Sequence, residues 1–483
     1  MKNRYKSIIV TLSVMLILSA CDNFLDVKPV SSITSSSFWN KPEDCEAYLT
    51  GIYNSVRSRL NTELYGEDRG DSFEPGHIGP VSEAWAQSLN ASNSPSWQSF
   101  YNTIYHLNRL FSETEGIEFT NSNDKNRILA EAYALRALIY YQMAKIWGDI
   151  PLVTTPTENA DVELVARSGV NEVFNFINQD IDQALSLFPE EGYVDKNRMS
   201  KPATYALQAD VKMWTGKVLG GGEGDFNSAL SAIEKVEASG VSLLNDFRSI
   251  FDSSNKKNNE IIFSIFFEYQ EANEHYAKRI SSWGINVTSA VNYSDLPVTE
   301  RNNARHVYGP SSELKNAFAE YNTDVRKNVS MIDAVLSNGD IILSSQNKFR
   351  GTVYDDRYFD DDLIVYRLAD IISLKAEALA ALNRLPEAIT ELNRIKQRAQ
   401  IPAYSGPEEK VAVEKEILKE RWKELFLELK RYPDLVRFHF GGTINIYEKV
   451  PNLNGKEGYP LYFPVEQSVM DNNALITQTE GYE

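Results

Sequence analysis

Apolar residues recur at helical spacing along most of the chain. A helix is predicted to open at Lys41-Pro42, with Pro42 suited to the first turn, and to run through Tyr48, Ile52 and Val56. Helical spacing resumes at Phe100, Ile104, Leu107 and Phe111. The clearest segment spans about Asn126 to Trp147. Ile128, Ala132, Leu135, Ile139, Met143 and Ile146 form one stripe; Leu129, Tyr133, Ala137, Tyr140, Ala144 and Trp147 form another. A helix apolar on two sides packs between neighbours. Gly148-Asp149, with Pro151 beyond, supplies the stop.

Further helices are predicted at about 170–188, 202–219 and 226–238, the last two as a hairpin across Gly220-Gly221-Gly222. A second hairpin is predicted over 363–382 and 386–400, turning at Asn383-Arg384-Leu385, and a charged helix over 417–437. Small alanines at the crossings are typical of tetratricopeptide repeats. Between about 240 and 355 the pattern changes. Ile-Ile-Phe-Ser-Ile-Phe-Phe within Glu260 to Tyr269 reads as a strand, among Asn-, Ser-, Gly- and Asp-rich segments. Residues 66–80 and 90–95 read as loops. Long loops in a compact helical fold usually carry function. The expected fold is mostly α: tetratricopeptide-like helical pairs form a scaffold, and an irregular, loop-rich ligand-binding lobe contains a few short strands. Residues 41–483 are expected to form one domain, with 41–240 and 356–483 as scaffold and 241–355 as the variable, ligand-facing lobe.

The first residues change the picture. Lys2, Arg4 and Lys6 precede an apolar run, Ser7 to Ala20, and Leu18-Ser19-Ala20-Cys21 reads as a lipobox. Residues 1–20 are then a signal peptide that is removed, Cys21 carries the lipid, and 21–40 form a tether. The formal net charge is −18, and losing the three basic residues of the leader makes it more negative. Such a surface repels nucleic acid and favours neutral or cationic ligands. Of the two cysteines, Cys45 is left without a partner and is expected to be a buried small side chain.

No zinc-ligand spacing links His77, His106, His275, His306 and His439, and no nucleotide loop or serine-nucleophile elbow occurs. No cofactor is expected. Glu420, Glu424 and Glu428 share a helix face, and pairing with Arg421, Arg431 and Arg437 or with neighbouring helices accounts for them better than catalysis does. Asp355, Asp356, Asp360, Asp361 and Asp362 read as a solvated loop at the N-terminus of the next helix, rather than as a cation site. A sugar needs a flat aromatic face with hydrogen-bonding groups beside it. Trp147, Trp214 and Trp422 lie on predicted helices and are expected in the core. Trp85 and Trp283, with Asn292, Tyr293, Asp295, Arg301 and Tyr308, are the candidate ligand residues.

Several blocks resemble the SusD/RagB family. Ile417-x-x-Glu420-Arg421-x-x-Glu424-Leu425-x-x-Glu428-x-x-Arg431-x-x-Asp434-Leu435-x-Arg437 is similar to its signature helix and exit. Tyr366-Arg367-Leu368-Ala369-Asp370, Lys375 to Leu379 and Leu392 to Ala399 resemble the preceding hairpin. Glu131 to Ala137 leading to Trp147-Gly148-Asp149-Ile150-Pro151-Leu152-Val153, and Cys21 to Asp26, resemble two more blocks. The C-terminal Phe463-Pro464-Val465-Glu466 departs from the pattern, with Glu466 in place of a proline. The resemblance implies a non-enzymatic, surface-exposed lipoprotein of the outer membrane. It would capture an oligosaccharide for a SusC-type TonB-dependent transporter; peptide capture is the alternative, and a surface glycosidase ranks below both.

Overall fold

The computed structural model describes residues 38–157, 163–271, 274–301 and 304–482. The signal peptide, Cys21 and most of the tether lie outside the described residues.

The helices follow the apolar spacing closely. Helix α1 (Pro42–Leu60), α2 (Gln98–Glu115), α3 (Ser122–Trp147) and α4 (Val170–Leu187) open the scaffold. Helices α5 (Lys201–Val218) and α6 (Gly222–Glu237) form the expected hairpin. At its crossing, a Cβ on Gly216 would lie 2.5 Å from the Phe226 ring, so only glycine lets the helices approach this closely there. The Ser200 hydroxyl accepts from Ala203 N–H and caps α5. Helix α3 is buried on nearly every side, with Leu135, Ile139, Tyr140 and Tyr141 fully enclosed. Cys45 is buried in α1, as expected of a small apolar side chain.

Two later pairs complete the scaffold: α8 (Leu368–Ala381) with α9 (Leu385–Arg398), and α10 (Lys410–Leu425) with α11 (Arg431–Phe440); α7 is the short helix Ser312–Ala319. Helix α8 packs on α6, so pairs far apart in the chain stack into one array. The architecture is mostly helical and tetratricopeptide-like. Among the described residues, no helix is long and apolar enough to cross a membrane.

Three expectations need correction. Residues Leu363–Arg367 are not the start of a helix. They form a fully buried strand, β8, antiparallel to β2 (Ile261–Ile265). An apolar run such as Leu-Ile-Val fits either element, and the backbone partner decides. The charged helix over 417–437 is two helices. The chain leaves α10 at Leu425 and turns through Leu427 and Leu429, both at positive φ, before α11. The acidic run is not a solvated cap either: Asp356, Asp360, Asp361 and Asp362 are buried and lead into β8.

Between α6 and α8 lie the remaining short sheets. Strand β3 (Tyr308–Pro310) pairs with β1 (Phe73–Pro75), tying the 66–80 segment to this region. Strands β4 (Met331–Val335) and β5 (Ile341–Gln346) form one hairpin; β6 (Thr352–Val353) and β7 (Arg357–Tyr358) form another.

Candidate functional site

The β6–β7 hairpin presents Tyr354 at its tip and Tyr358 on its return strand. Tyr269, just beyond β2, stacks on Tyr354 with ring centroids 3.7 Å apart and planes 12° apart. Tyr358 meets Tyr269 edge-on at 4.7 Å. Tyr354 stays 46% exposed, an aromatic surface backed by a second ring. Asp355 lies beside it: Oδ1 accepts from the Tyr269 hydroxyl at 3.5 Å, and Oδ2 is 3.4 Å from Arg301 Nη1. Both Asp355 and Arg301 remain largely exposed.

Asp356 fastens this hairpin to the segment carrying Arg301. Its carboxylate accepts the backbone N–H groups of Glu300, Arg301 and Arg357, each at 2.8 Å. Across the same segment, Trp283 donates its indole N–H to the Glu300 carbonyl at 3.1 Å and is half-buried. The Tyr293 hydroxyl donates to Glu300 Oε1. Gly284 leaves room for that pair, since a Cβ there would lie 2.5 Å from the Tyr293 oxygen. Burial, then the Glu300 hydrogen bond and charge, push the Tyr293 phenol up to about 12, so it is a protonated donor at neutral pH.

The structure therefore joins Trp283, Tyr293 and Arg301 to Tyr269, Tyr354, Tyr358, Asp355 and Glu300 along one connected surface. Flat rings can carry the C–H face of a pyranose, while carboxylates and a guanidinium can take its hydroxyls. The other candidates are placed differently. Asn292 clamps β4, donating to the Asp333 carbonyl at 2.8 Å and accepting from Val335 N–H at 3.1 Å. Asp295 is exposed, and its backbone carbonyl accepts from Arg350. Trp85 and Tyr308 belong to the main core cluster, whereas Tyr293 packs on a small separate one. Tyr308 is 1% exposed, stacked on Phe73 at 4.9 Å, so neither face of its ring is open to a ligand in this structure. Trp85 is half-buried, with its N–H donated to the Phe73 carbonyl.

Tyr269, Tyr354 and Tyr358 were not singled out by their sequence context. Tyr354-Asp355-Asp356-Arg357-Tyr358 does hold a signal, two tyrosines flanking an acidic turn, but its meaning depends on Tyr269 arriving from another strand.

The charged helix is scaffold. Glu420 pairs with Arg326 and Lys423, Glu424 with Arg367 and Arg398, and Glu428 with Arg367 and Lys348. Of the two expected pairings, the one with neighbouring elements is found; Arg421 goes instead to Asp370 and Asp434, Arg431 to Asp71, and Arg437 to Glu377 and Asp434.

Residues 23–213 match a family model described as starch-binding and associating with the outer membrane, and residues 344–482 match the SusD family model. Together the matches span more than half of the chain. Trp283, Tyr293 and Arg301 fall between them, and Tyr354 and Tyr358 fall within the second. The chain is 25% identical over 534 residues to SusD-like protein P38 of Formosa agariphila, covering 99% of this chain and 100% of that one. It is 22% identical over 573 residues to the starch-binding protein SusD of Bacteroides thetaiotaomicron, covering all of both chains. Among solved structures, B. fragilis NanU superposes with a TM-score of 0.82 at 26% identity, over 95% of this chain and 100% of that one.

Proposed function

Because the chain belongs to the SusD/RagB family of glycan-binding, outer-membrane-associated proteins, we propose that it captures an oligosaccharide at the surface built by Trp283, Tyr293, Arg301, Tyr269, Tyr354 and Tyr358. Cys21 carries the lipid that holds it on the outer face of the membrane, and the captured glycan passes to a SusC-type TonB-dependent transporter. Residues 241–355 supply most of the ligand-facing groups, and the paired helices hold them in place. The protein binds and does not cleave.

The observation that carries this reading is the exposed Tyr354 ring, stacked on Tyr269 and flanked by Asp355 and Arg301. A backed ring is already ordered, so little side-chain entropy is lost when a sugar settles on it. The acidic groups beside it also suit a cationic peptide, and the same experiment separates the two ligands. Calorimetry against a panel of neutral polysaccharides and basic peptides should give binding to a glycan that is insensitive to salt. Tight binding to basic peptides alone would replace the glycan reading. Release of shortened product from a bound glycan by the purified protein would show catalysis. Mass spectrometry of the mature N-terminus should find diacylglycerol on Cys21.

A further inference from the structure

Several fully buried cations in this protein meet carboxylates. Arg326, Arg367, Arg421 and Arg437, all at most 1% exposed, each meet at least one carboxylate. Arg59 and Lys145 are half-buried and have no carboxylate partner among the described residues. They border one partly open cavity of about 60 Å³ between α1, α3, α5 and α11. A single water needs ~10–15 Å³ on this scale, so the cavity has room for a small polyatomic group.

Three residues bordering the cavity carry donors without acceptors. Arg59, on the last turn of α1, makes no ion pair or hydrogen bond among the described residues, and its Nε is buried without a partner. Burial lowers its pKa. Lys145 has no carboxylate partner among the described residues; its ammonium lies 4.1 Å over the Tyr141 ring. Burial holds Lys145 down at about 8; Asp210 and Asp434 oppose this, while Lys430 and Arg437 add to it. Trp214 is 1% exposed, and its indole N–H, which can only donate, has no acceptor. Gln142, one turn before Lys145, also borders the space. Glu428 is the one carboxylate bordering it, and both its oxygens are already taken by Arg367 and Lys348.

A guanidinium, an ammonium and an indole N–H on residues bordering one partly open cavity leave positive charge and donors without a protein acceptor. Water can accept from the N–H groups, but it leaves the charge uncompensated. A charged acceptor answers both, and charge-assisted hydrogen bonds are the strong ones. We propose that this cavity is a binding site for a small oxyanion, a phosphate, sulfate or carboxylate group, held by Arg59, Lys145 and the Trp214 indole N–H. It lies on the helical scaffold and uses none of the aromatic groups proposed to bind glycan. The two readings therefore stand or fall separately.

The test is calorimetry and thermal melting of the detergent-solubilised full-length protein with sodium phosphate, sodium sulfate and sodium acetate, each against sodium chloride at matched ionic strength. The first two anions report a free inorganic ligand, and acetate reports a carboxylate. At least one of the three should saturate a single site and raise Tm. Arg59→Gln and Lys145→Met should each weaken binding by about tenfold or more, the loss of one charge-assisted hydrogen bond. Lys235→Gln, an exposed change on α6, should leave it unchanged. Arg59 is half-buried on a helix face, so its variant should fold even if Lys145→Met does not. The proposal is overturned if no anion does more than chloride, or if Arg59→Gln binds as the unaltered protein does.

Discussion

Arg367 grips both carboxylate oxygens of Glu428: its Nε is 2.7 Å from Oε2 and its Nη2 is 2.7 Å from Oε1. Its remaining nitrogen reaches Glu260 at 2.7 Å and Glu424 at 2.6 Å. One guanidinium thus ties β8 to the end of α10 and to the residue before β2. Replacing Arg367 by Leu leaves buried carboxylates short of a cation and should cost about 3–5 kcal/mol of stability. Arg367→Lys should also be clearly destabilising, because an ammonium cannot make the paired contact. Equilibrium urea unfolding measures both. A loss below about 1 kcal/mol for Arg367→Leu would show that the network carries no such weight.

The same network sets a pH dependence. Burial alone would raise Glu420, Glu377 and Asp370. Arg326, then Lys423, instead hold Glu420 at about 2; Arg437 and Lys217 hold Glu377 at about 2; Lys430 and Arg421 hold Asp370 at about 2. Carboxylates lowered on folding stabilise above their unfolded values, 4.5 and 3.8, and that contribution is lost as pH falls towards 2. His275, which burial holds at about 3, adds to the acid loss. Burial acts the other way on Glu67, raised to about 8, and on Asp68 and Asp361, raised to about 7. Those groups cost stability as pH rises from their unfolded values through 7 and 8. Tm measured from roughly pH 3 to 9 should therefore fall at both ends, and Glu67→Gln should flatten the alkaline fall. An unchanged alkaline limb in that variant would remove Glu67 from the account.

Binding should depend on the exposed aromatic groups more than on the buried ones. Tyr354→Ala and Trp283→Ala should each weaken glycan binding by about tenfold, near 1.4 kcal/mol, with little change in Tm. Trp85→Ala, which loses a hydrogen bond to Phe73 and core packing, should lower Tm while affecting affinity less. Affinity electrophoresis alongside melting curves separates the two effects. The reverse pattern would move the binding surface to Trp85.

Gly351 offers a backbone test of the same surface. It opens the tyrosine hairpin at φ +57°, and a Cβ there would lie 1.9 Å from the Tyr358 carbonyl oxygen. Gly351→Ala combines a left-handed strain of about 1 kcal/mol with that clash. The expected result is weakened glycan binding with the helical circular dichroism unchanged. Full affinity in this variant would mean that the hairpin is not part of the site.

The sequence by itself determined the helices, their order and much of their pairing. The two stripes on 126–147, Pro42 at the start of α1 and Gly148 at the end of α3 act over a few residues, and spacing along the chain records such interactions directly. Trp283, Tyr293 and Arg301 were legible as residue types suited to sugar in a loop-rich stretch. The tertiary structure decided what depended on distant partners. Leu363–Arg367 is a strand because β2 lies beside it. Glu420, Glu424 and Glu428 face Arg326, Arg367, Arg398 and Lys348 rather than Arg421, Arg431 and Arg437. Asp356, Asp361 and Asp362 of the acidic run are buried because donors such as Gly351 N–H, Glu300 N–H and Asn197 fold over them. Tyr269 and Tyr354 become one aromatic surface where the segment after β2 meets the β6–β7 hairpin. A helix is specified by neighbours three and four residues away, whereas a buried charge or a ring stack is specified by whichever groups chain closure brings within a few ångströms.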